Sequence, residues 1–128
     1  MENGLKMDEK YFFDSYALIE IYKGNKNYER YKKAKVVTSF LHVYEVYYRL
    51  RKEFKEEDFA DFFQVLQAFC INLDFGWIPK AVEFRIKNMN RDLSYADCLG
   101  YFIAKELGTK FLTGDRQFKD LPNVEFVK

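Results

Sequence analysis

Short apolar segments that alternate with longer amphipathic ones constrain the fold of this chain more than any other feature of its sequence. The short segments are rich in aromatic and β-branched side chains, which favour strands. They are Tyr11–Phe13, Val36–Thr38, Cys70–Phe75 (weakened as a candidate by Asn72 and Asp74), Lys110–Thr113 and Val124–Val127. Strands that alternate with helices form parallel sheets covered on both faces. The sequence therefore predicts an α/β fold, a three-layer α/β/α sandwich with a central parallel sheet of four to five strands.

The segments between these strands show helical spacing and end signals. Ser39 is placed to cap a long helix that reaches about Lys52, and Gly108 follows another helix as a glycine at C′ does. The predicted helices are Ser15–Tyr22, Tyr28–Lys35, the Ser39 helix with Phe40, Val43, Val46, Tyr47 and Leu50 on its apolar face, Glu56–Gln67, a helix with Pro79 in its first turn that runs to about Asn90, and Ser94–Leu107.

The length of 128 residues indicates one domain, which we expect to span residues 1–128. Residues 1–9 are polar and predict a flexible leader, with Met1 or Met7 as the start. No run approaches the roughly 18 consecutive apolar residues of a membrane span. Cys70 and Cys98 match no disulfide framework or zinc spacing. These observations predict a soluble, cytoplasmic protein with no membrane partner.

Four acidic residues stand where a parallel α/β fold would bring them together. Asp14 and Asp115 each follow a predicted strand directly. Glu45 is the only acid in the apolar stretch 40–48, and Asp97 lies one turn into the helix that starts at Ser94. Ligands of such sheets bind outside the carboxyl ends of the strands, where the strand order reverses. We therefore expect these four carboxylates to share one pocket.

A pocket of four carboxylates requires a cation. Two like charges about 4 Å apart repel by roughly 4 kcal/mol at an effective dielectric constant near 20. Converging carboxylates would therefore become protonated or move apart unless a metal ion neutralised them. Oxygen ligands without His or Cys favour Mg²⁺ or Mn²⁺. Such an ion activates water and stabilises charge on a phosphate, which indicates phosphodiester hydrolysis.

Each acid also has a purely structural interpretation. These alternatives are N-caps at Asp14 and Asp115, a capping box between Ser94 and Asp97, and an ion pair of Glu45 with Arg49. His42, the only histidine, lies one turn before Glu45 and is interpreted as structural. The sequence alone leaves both interpretations open for each acid, and the case for a site depends on all four together.

Four motifs in register resemble those of the PIN-domain family, and most closely the VapC toxins of prokaryotic toxin–antitoxin pairs. They are Phe12–Ser15, with an Asp followed by Ser; Thr38–Glu45, with hydroxyl residues before a Glu; Leu93–Ala104, with an Asp entering a helix; and Phe111–Phe118, a strand that ends in Thr-x-Asp. The turn and strand at Leu121–Val124 also fit, so the resemblance covers nearly the whole chain. Gly100 departs from the family pattern because it interrupts the third motif's helix.

The resemblance implies a role for each site residue. Asp14 and Asp97 would be the first metal ligands, and Glu45 and Asp115 would complete the catalytic site. The supporting residues would be Ser15 and Thr113, which orient carboxylates or phosphate. Apart from the resemblance, Arg116 adjoins Asp115 and is a third supporting candidate, placed to reach the scissile phosphate. Ser15 and Thr113 have turn and cap hydrogen bonds as their alternative, and Arg116 has an ion pair with Asp115.

The family resemblance also implies the activity and the partners. It implies a ribonuclease dependent on Mg²⁺ or Mn²⁺ that cleaves RNA, forms a homodimer and is neutralised by an antitoxin protein. Two alternatives stay open at this point. One is a PIN nuclease that acts in RNA maturation, and the other is a PIN-fold binding module without catalytic activity.

Overall fold

Four parallel strands form one sheet in the order β2-β1-β3-β4 in the computed structural model, which describes residues 9–128. The strands are β1 (Lys10–Phe13), β2 (Lys35–Val37), β3 (Lys110–Thr113) and β4 (Val124–Phe126). The predicted parallel α/β architecture is confirmed. The expected leader lies outside the described residues except for Glu9, whose carbonyl accepts a hydrogen bond from the Lys35 amide at 2.7 Å. Met1 and Met7 also lie outside them.

Five α-helices and two 3₁₀ segments surround this sheet in the described part of the chain. The helices are α1 (Ser15–Lys23), α2 (Phe40–Glu53), α3 (Glu56–Gln67), α4 (Trp77–Lys87) and α5 (Tyr95–Glu106), and the 3₁₀ segments are Lys26–Lys33 and Arg116–Phe118. Ser39 and Ser94 are the N-caps of α2 and α5, and Gly108 has a φ of 69° just after α5, as predicted. Between residues 9 and 128, no helix has the length and apolar character needed to cross a membrane.

Successive side chains of the central strands β1 and β3 are buried on opposite faces of the sheet. Phe12 and Phe111 belong to a core shared with α5, and α4 packs outside that helix. Phe13 and Leu112 belong to a second core shared with α1, α2 and α3. Because successive strand residues point to opposite faces, this division produces the predicted three layers.

The predicted third strand, Cys70–Phe75, is wrong. Cys70 makes only an isolated parallel bridge to Thr38, and the segment then leaves the sheet. Asn72, Asp74 and Phe75 are exposed, and the Asp74 carboxylate accepts a hydrogen bond from the Gly76 amide at 2.8 Å, where α4 begins. Polar side chains that bond to the nearby backbone favour turns over strands, which explains the departure.

Two details of the predicted helices also need correction. The segment predicted as the helix Tyr28–Lys35 is the 3₁₀ segment Lys26–Lys33, whose buried residues Tyr28 and Tyr31 are three apart, the 3₁₀ period. In α2 the boundaries are as predicted to within one residue, but Phe40 is 68% exposed rather than buried. His42 is buried in the same helix instead.

The strand order reverses between β1 and β3, which places their carboxyl ends side by side. After β1 the chain forms β2 on one side of that strand, and it then crosses over to form β3 on the other side. The amide of Asp14, just after β1, donates to the carbonyl of Leu112 in β3 at 3.2 Å. This is the position at which open α/β sheets bind ligands.

Candidate active site

A cavity of about 400 Å³ opens at this strand-order reversal, and all four acids predicted from the sequence line it. Asp14 and Asp115 follow the carboxyl ends of β1 and β3, α2 supplies Glu45, and α5 supplies Asp97. The supporting residues Ser15 and Arg116 line the same cavity. The fold therefore brings together side chains that are far apart in sequence.

Asp14 is the most buried of the four acids, with 2% of its surface exposed. Its Oδ1 accepts a hydrogen bond from the Ala17 amide at 2.9 Å and caps α1. The pKa of Asp14 is raised to about 8, chiefly because the carboxyl is buried. Hydrogen bonds from Thr113 and Ala17 lower this pKa, and the charges of Asp97 and Asp115 raise it further. A carboxyl of this kind is protonated at neutral pH unless a positive charge lies beside it.

Asp97 is part of a complete capping box at the start of α5. Its amide donates to the Ser94 hydroxyl at 3.0 Å, and its Oδ2 accepts from the Ser94 amide at 3.1 Å. Burial raises the pKa of Asp97, hydrogen bonds from the Ser94 amide and side chain to its carboxylate oppose the shift, and the charges of Asp115 and Glu45 add to it. The two acids ranked first as metal ligands are thus the two whose charged forms the site disfavours.

Glu45 is tied to neighbouring groups through both of its oxygens. Its Oε1 accepts a hydrogen bond from the Ser15 hydroxyl at 2.8 Å, and its Oε2 lies 3.6 Å from Nη1 of Arg49. The ion pair proposed as the structural alternative therefore forms. Arg49 is half-exposed, so this pair contributes little stability.

Asp115 caps the short 3₁₀ turn that follows β3. Its Oδ1 accepts from the Gln117 amide at 3.0 Å, and its own amide donates to the Thr113 hydroxyl at 3.0 Å. Thr113 therefore contacts the main chain of Asp115 while also affecting Asp14. Within residues 9–128, Arg116 has no acidic partner within 4.0 Å, so its alternative role as an ion-pair partner of Asp115 is not seen.

Five further residues line the cavity. Arg49 and Ser94 were expected from the sequence only as structural partners of Glu45 and Asp97, and Tyr16, Gly114 and Lys128 had no predicted role. Tyr16 and Gly114 each adjoin a predicted site residue, so adjacency was an available signal. Lys128 is at least twelve positions from every predicted site residue, and no sequence pattern links it to them.

The side chains of this cavity fit a hard divalent cation in their chemistry. The acids supply only oxygen ligands, and Asp14 is a buried carboxyl surrounded by like charges. In the described part of the chain, no three His, Cys, Asp or Glu side chains are arranged closely enough to hold an ion as they stand. Each of the three aspartates makes its capping bond through one carboxylate oxygen, Oδ1 in Asp14 and Asp115 and Oδ2 in Asp97.

The fold and the cavity define an α/β protein with an acidic site at the switch point of a parallel sheet. A profile of the PIN domain matches residues 11–124. The chain belongs to the PIN-domain family, and the resemblance seen in its sequence is confirmed. A search of curated proteins gives no significant match.

Solved structures of similar fold include toxin proteins. VapC20 of Mycobacterium tuberculosis, described as a toxin that cleaves the sarcin-ricin loop, has a TM-score of 0.76 and 16% identity, over 92% of this chain and 99% of that one. A toxin–antitoxin complex from Klebsiella pneumoniae has a TM-score of 0.72 and 18% identity, over 90% of this chain and 95% of that one. PAE2754 from Pyrobaculum aerophilum has a TM-score of 0.69 and 15% identity, over 93% of this chain and 91% of that one. At these identities the similarity shows a shared fold.

Proposed function

We propose that this chain is a divalent-metal-dependent endoribonuclease that hydrolyses RNA phosphodiester bonds, and that it is the toxin of a VapBC-type toxin–antitoxin pair in the cytoplasm. The observation that carries the proposal is the convergence of four carboxylates on one cavity, with Asp14 buried among them. Stability alone would not favour this arrangement, because burying like charges together is costly. A cation that neutralises the cluster accounts for it.

Asp14 and Asp97 would hold the ion first, and Glu45 and Asp115 would complete the site directly or through water. Bound Mg²⁺ or Mn²⁺ supplies an activated water and stabilises negative charge on the phosphate. Asp14 would lose its proton as the positive charge arrives, since the cation favours the carboxylate form.

The remaining residues would position the acids and the phosphate. Ser15 holds Glu45 through the bond to Oε1, and Thr113 holds the turn that carries Asp115. Arg116, which is exposed at the cavity, would direct its guanidinium to the phosphate being cleaved. No covalent intermediate with the protein is required.

A protein partner is part of the same proposal, since relatives of similar fold occur in toxin–antitoxin complexes. An apolar groove of about 370 Å³ lies between the start of α5 and α4, and several exposed apolar side chains border it. They include Leu73, Phe75, Ile78, Val82 and Tyr95. Exposed apolar surface of this kind marks protein interaction sites, which is consistent with an antitoxin and with a homodimer.

The test is expression toxicity together with RNA cleavage by the purified protein in Mn²⁺. We expect the wild type to inhibit growth and cut RNA, and Asp14→Asn and Asp97→Asn to do neither. Asp61→Asn, on the exposed face of α3, removes the same charge outside the cavity and should behave as wild type. Intact RNA with the wild type would favour the catalytically silent binding module, and cleavage without toxicity would favour a nuclease of RNA maturation.

A further inference from the structure

The segment that follows β4 reaches the acidic cavity and is held there by hydrogen bonds from other parts of the chain. The Val127 amide donates to the Thr113 carbonyl at 2.9 Å, and the Tyr28 hydroxyl donates to the Val127 carbonyl. The Asn27 side-chain amide donates to the Lys128 carbonyl at 3.1 Å. Because Tyr28 is fully buried, its hydroxyl is a fixed donor. These bonds set the position of the main chain at residues 127 and 128.

Close packing at Gly114 brings this segment against the wall of the cavity. A Cβ atom at Gly114 would overlap both the Tyr16 ring and the Val127 carbonyl. Only glycine therefore allows these two groups to meet beside Asp115. The Nζ of Lys128 lies 5.8 Å from the centroid of the Tyr16 ring, and both residues line the cavity of the four acids.

The charge of Lys128 is not matched by a protein carboxylate in the described structure. Between residues 9 and 128, no acidic group lies within 4.0 Å of its Nζ, whereas Arg49 in the same cavity pairs with Glu45. An ammonium group is a compact point charge that suits a phosphate oxygen. Cations placed beside an acidic metal site offset its repulsion of an incoming polyanion.

We propose that Lys128 binds a backbone phosphate of the nucleic-acid strand next to the phosphate that is cleaved, and that Tyr28 is the positioning residue that holds it there. This inference rests on the proposed nuclease function and adds a substrate contact to it. Phosphate contacts fix the register of a strand without reading its bases. Lys128 therefore contributes to binding RNA of any sequence, while the four acids carry the cleavage.

The first experiment compares Lys128→Gln with Lys80→Gln, which removes the same charge from an exposed position on α4, outside the cavity. Steady-state cleavage of a short fluorescent single-stranded RNA in Mn²⁺ should show KM raised about fivefold in Lys128→Gln, with kcat unchanged, as expected for one exposed charge pair. Lys128→Arg should restore KM. Equal KM values for Lys128→Gln and Lys80→Gln, or a fall in kcat alone, would overturn the proposal.

The second experiment tests the positioning role with two tyrosines of the same 3₁₀ segment. Tyr28→Phe removes the hydroxyl that binds the Val127 carbonyl, and Tyr31→Phe removes one that binds the Glu125 side chain. We expect KM to rise about threefold in Tyr28→Phe and to stay unchanged in Tyr31→Phe, with both variants folded by circular dichroism. Combining Tyr28→Phe with Lys128→Gln should add nothing to the effect of Lys128→Gln. A further rise in KM equal to that of Tyr28→Phe alone would contradict the positioning role.

A binding measurement without metal separates this proposal from the nuclease function. The same RNA, and DNA of the same sequence, is titrated in a chelator at several salt concentrations and followed by fluorescence anisotropy. Lys128→Gln should reduce the slope of log affinity against log salt by about 0.7 for both strands, and Lys80→Gln should not. If the wild type cleaves no RNA but this difference appears, the nuclease function fails and the phosphate contact stands. If the two variants agree here, or if the wild type binds neither strand, the role of Lys128 is rejected.

Discussion

The His42 ring occupies the space that a side chain at Gly100 would need. A Cβ atom at Gly100 would lie 2.8 Å from Nε2 and 2.9 Å from Cε1 of that ring, with Phe12 behind it at 2.9 Å. His42 is one turn before Glu45 on α2, and Gly100 is one turn after Asp97 on α5. This contact sets how closely the helices that carry two of the acids approach each other.

We expect Gly100→Ala to destabilise the protein. Replacing a helical glycine by alanine gains about 1 kcal/mol of helix propensity, but overpacking a core costs about 1–3 kcal/mol. Because the neighbours at 2.8–2.9 Å are rings packed in the interior, the second effect should dominate. Urea unfolding measures the change. The loss should shrink when His42→Val is the reference background, and a stabilised Gly100→Ala would show that the ring moves aside.

Asp14 should make the metal-free protein less stable as the pH rises above neutrality. Its pKa is raised to about 8 in the folded state, so its contribution is complete below the unfolded value near 4 and is lost as pH rises towards 8. His42 acts in the opposite direction, because burial lowers its pKa to about 4, and stability is lost as pH falls from about 6.5 towards 4. Between about pH 4 and pH 6.5 the two groups change the free energy of unfolding in opposite directions.

Above pH 6.5 only the Asp14 effect remains of these two, and the free energy of unfolding should fall by up to about 1.4 kcal/mol per pH unit. Denaturant titrations at several pH values, in a chelator, measure this slope. Asp14→Asn should flatten it, while Asp61→Asn, which is exposed, should keep it. A wild-type stability that is constant from pH 6.5 to 8 would show that Asp14 is not protonated in the folded protein.

Metal binding should stabilise the protein through the same carboxylates. A ligand present at about 100 times its Kd adds about 2.7 kcal/mol to the stability of the folded state. Mn²⁺ should therefore raise the Tm of the wild type and of Asp61→Asn, and should raise it little or not at all in Asp14→Asn and Asp97→Asn. A full Tm increase in the double variant Asp14→Asn, Asp97→Asn would place the ion elsewhere.

Ser15→Ala should weaken metal binding without unfolding the protein. The Ser15 hydroxyl donates to Glu45 Oε1 at 2.8 Å and is the only side chain other than Arg49 bonded to that carboxylate among the described residues. Residues that orient a metal ligand typically contribute tenfold to a hundredfold in affinity. Calorimetric titration with Mn²⁺ measures the change, and Ser15→Thr, which keeps a hydroxyl, should recover most of the affinity. Equal affinity in Ser15→Ala would mean that Glu45 does not help to bind the ion.

The parts of this protein that could be predicted from the sequence follow from neighbouring residues and from the general geometry of parallel sheets. Carboxyl ends of parallel strands meet at one edge of a sheet, so Asp14 and Asp115 could be placed together before the fold was known. The caps at Ser39, Ser94 and Gly108 were predictable for the same reason, because a cap depends on residues within one turn.

The parts that could not be predicted depend on contacts between distant segments. The pairing of His42 with Gly100, the exposure of Phe40 and the approach of Lys128 to the cavity each require the packed fold. Cys70–Phe75 has a composition that suits a strand, yet its Asp74 turn ends the pairing after one bridge. Residue propensities could not decide between a strand and a turn in this segment, because the two local preferences are of similar size.

Three of the four acids have a capping role as well as a place in the cavity: Asp14 and Asp115 are N-caps, and Asp97 is the N3 residue of the capping box at Ser94. Asparagine caps a helix about as well as aspartate and carries no charge. A descendant of this chain that lost its activity would therefore still be selected to keep Asp, Asn or Ser at positions 14 and 115, and these positions would not reveal the loss. Glu45 caps nothing and is held only by Ser15 and the half-exposed Arg49, so its replacement would be the first visible sign of an inactive lineage.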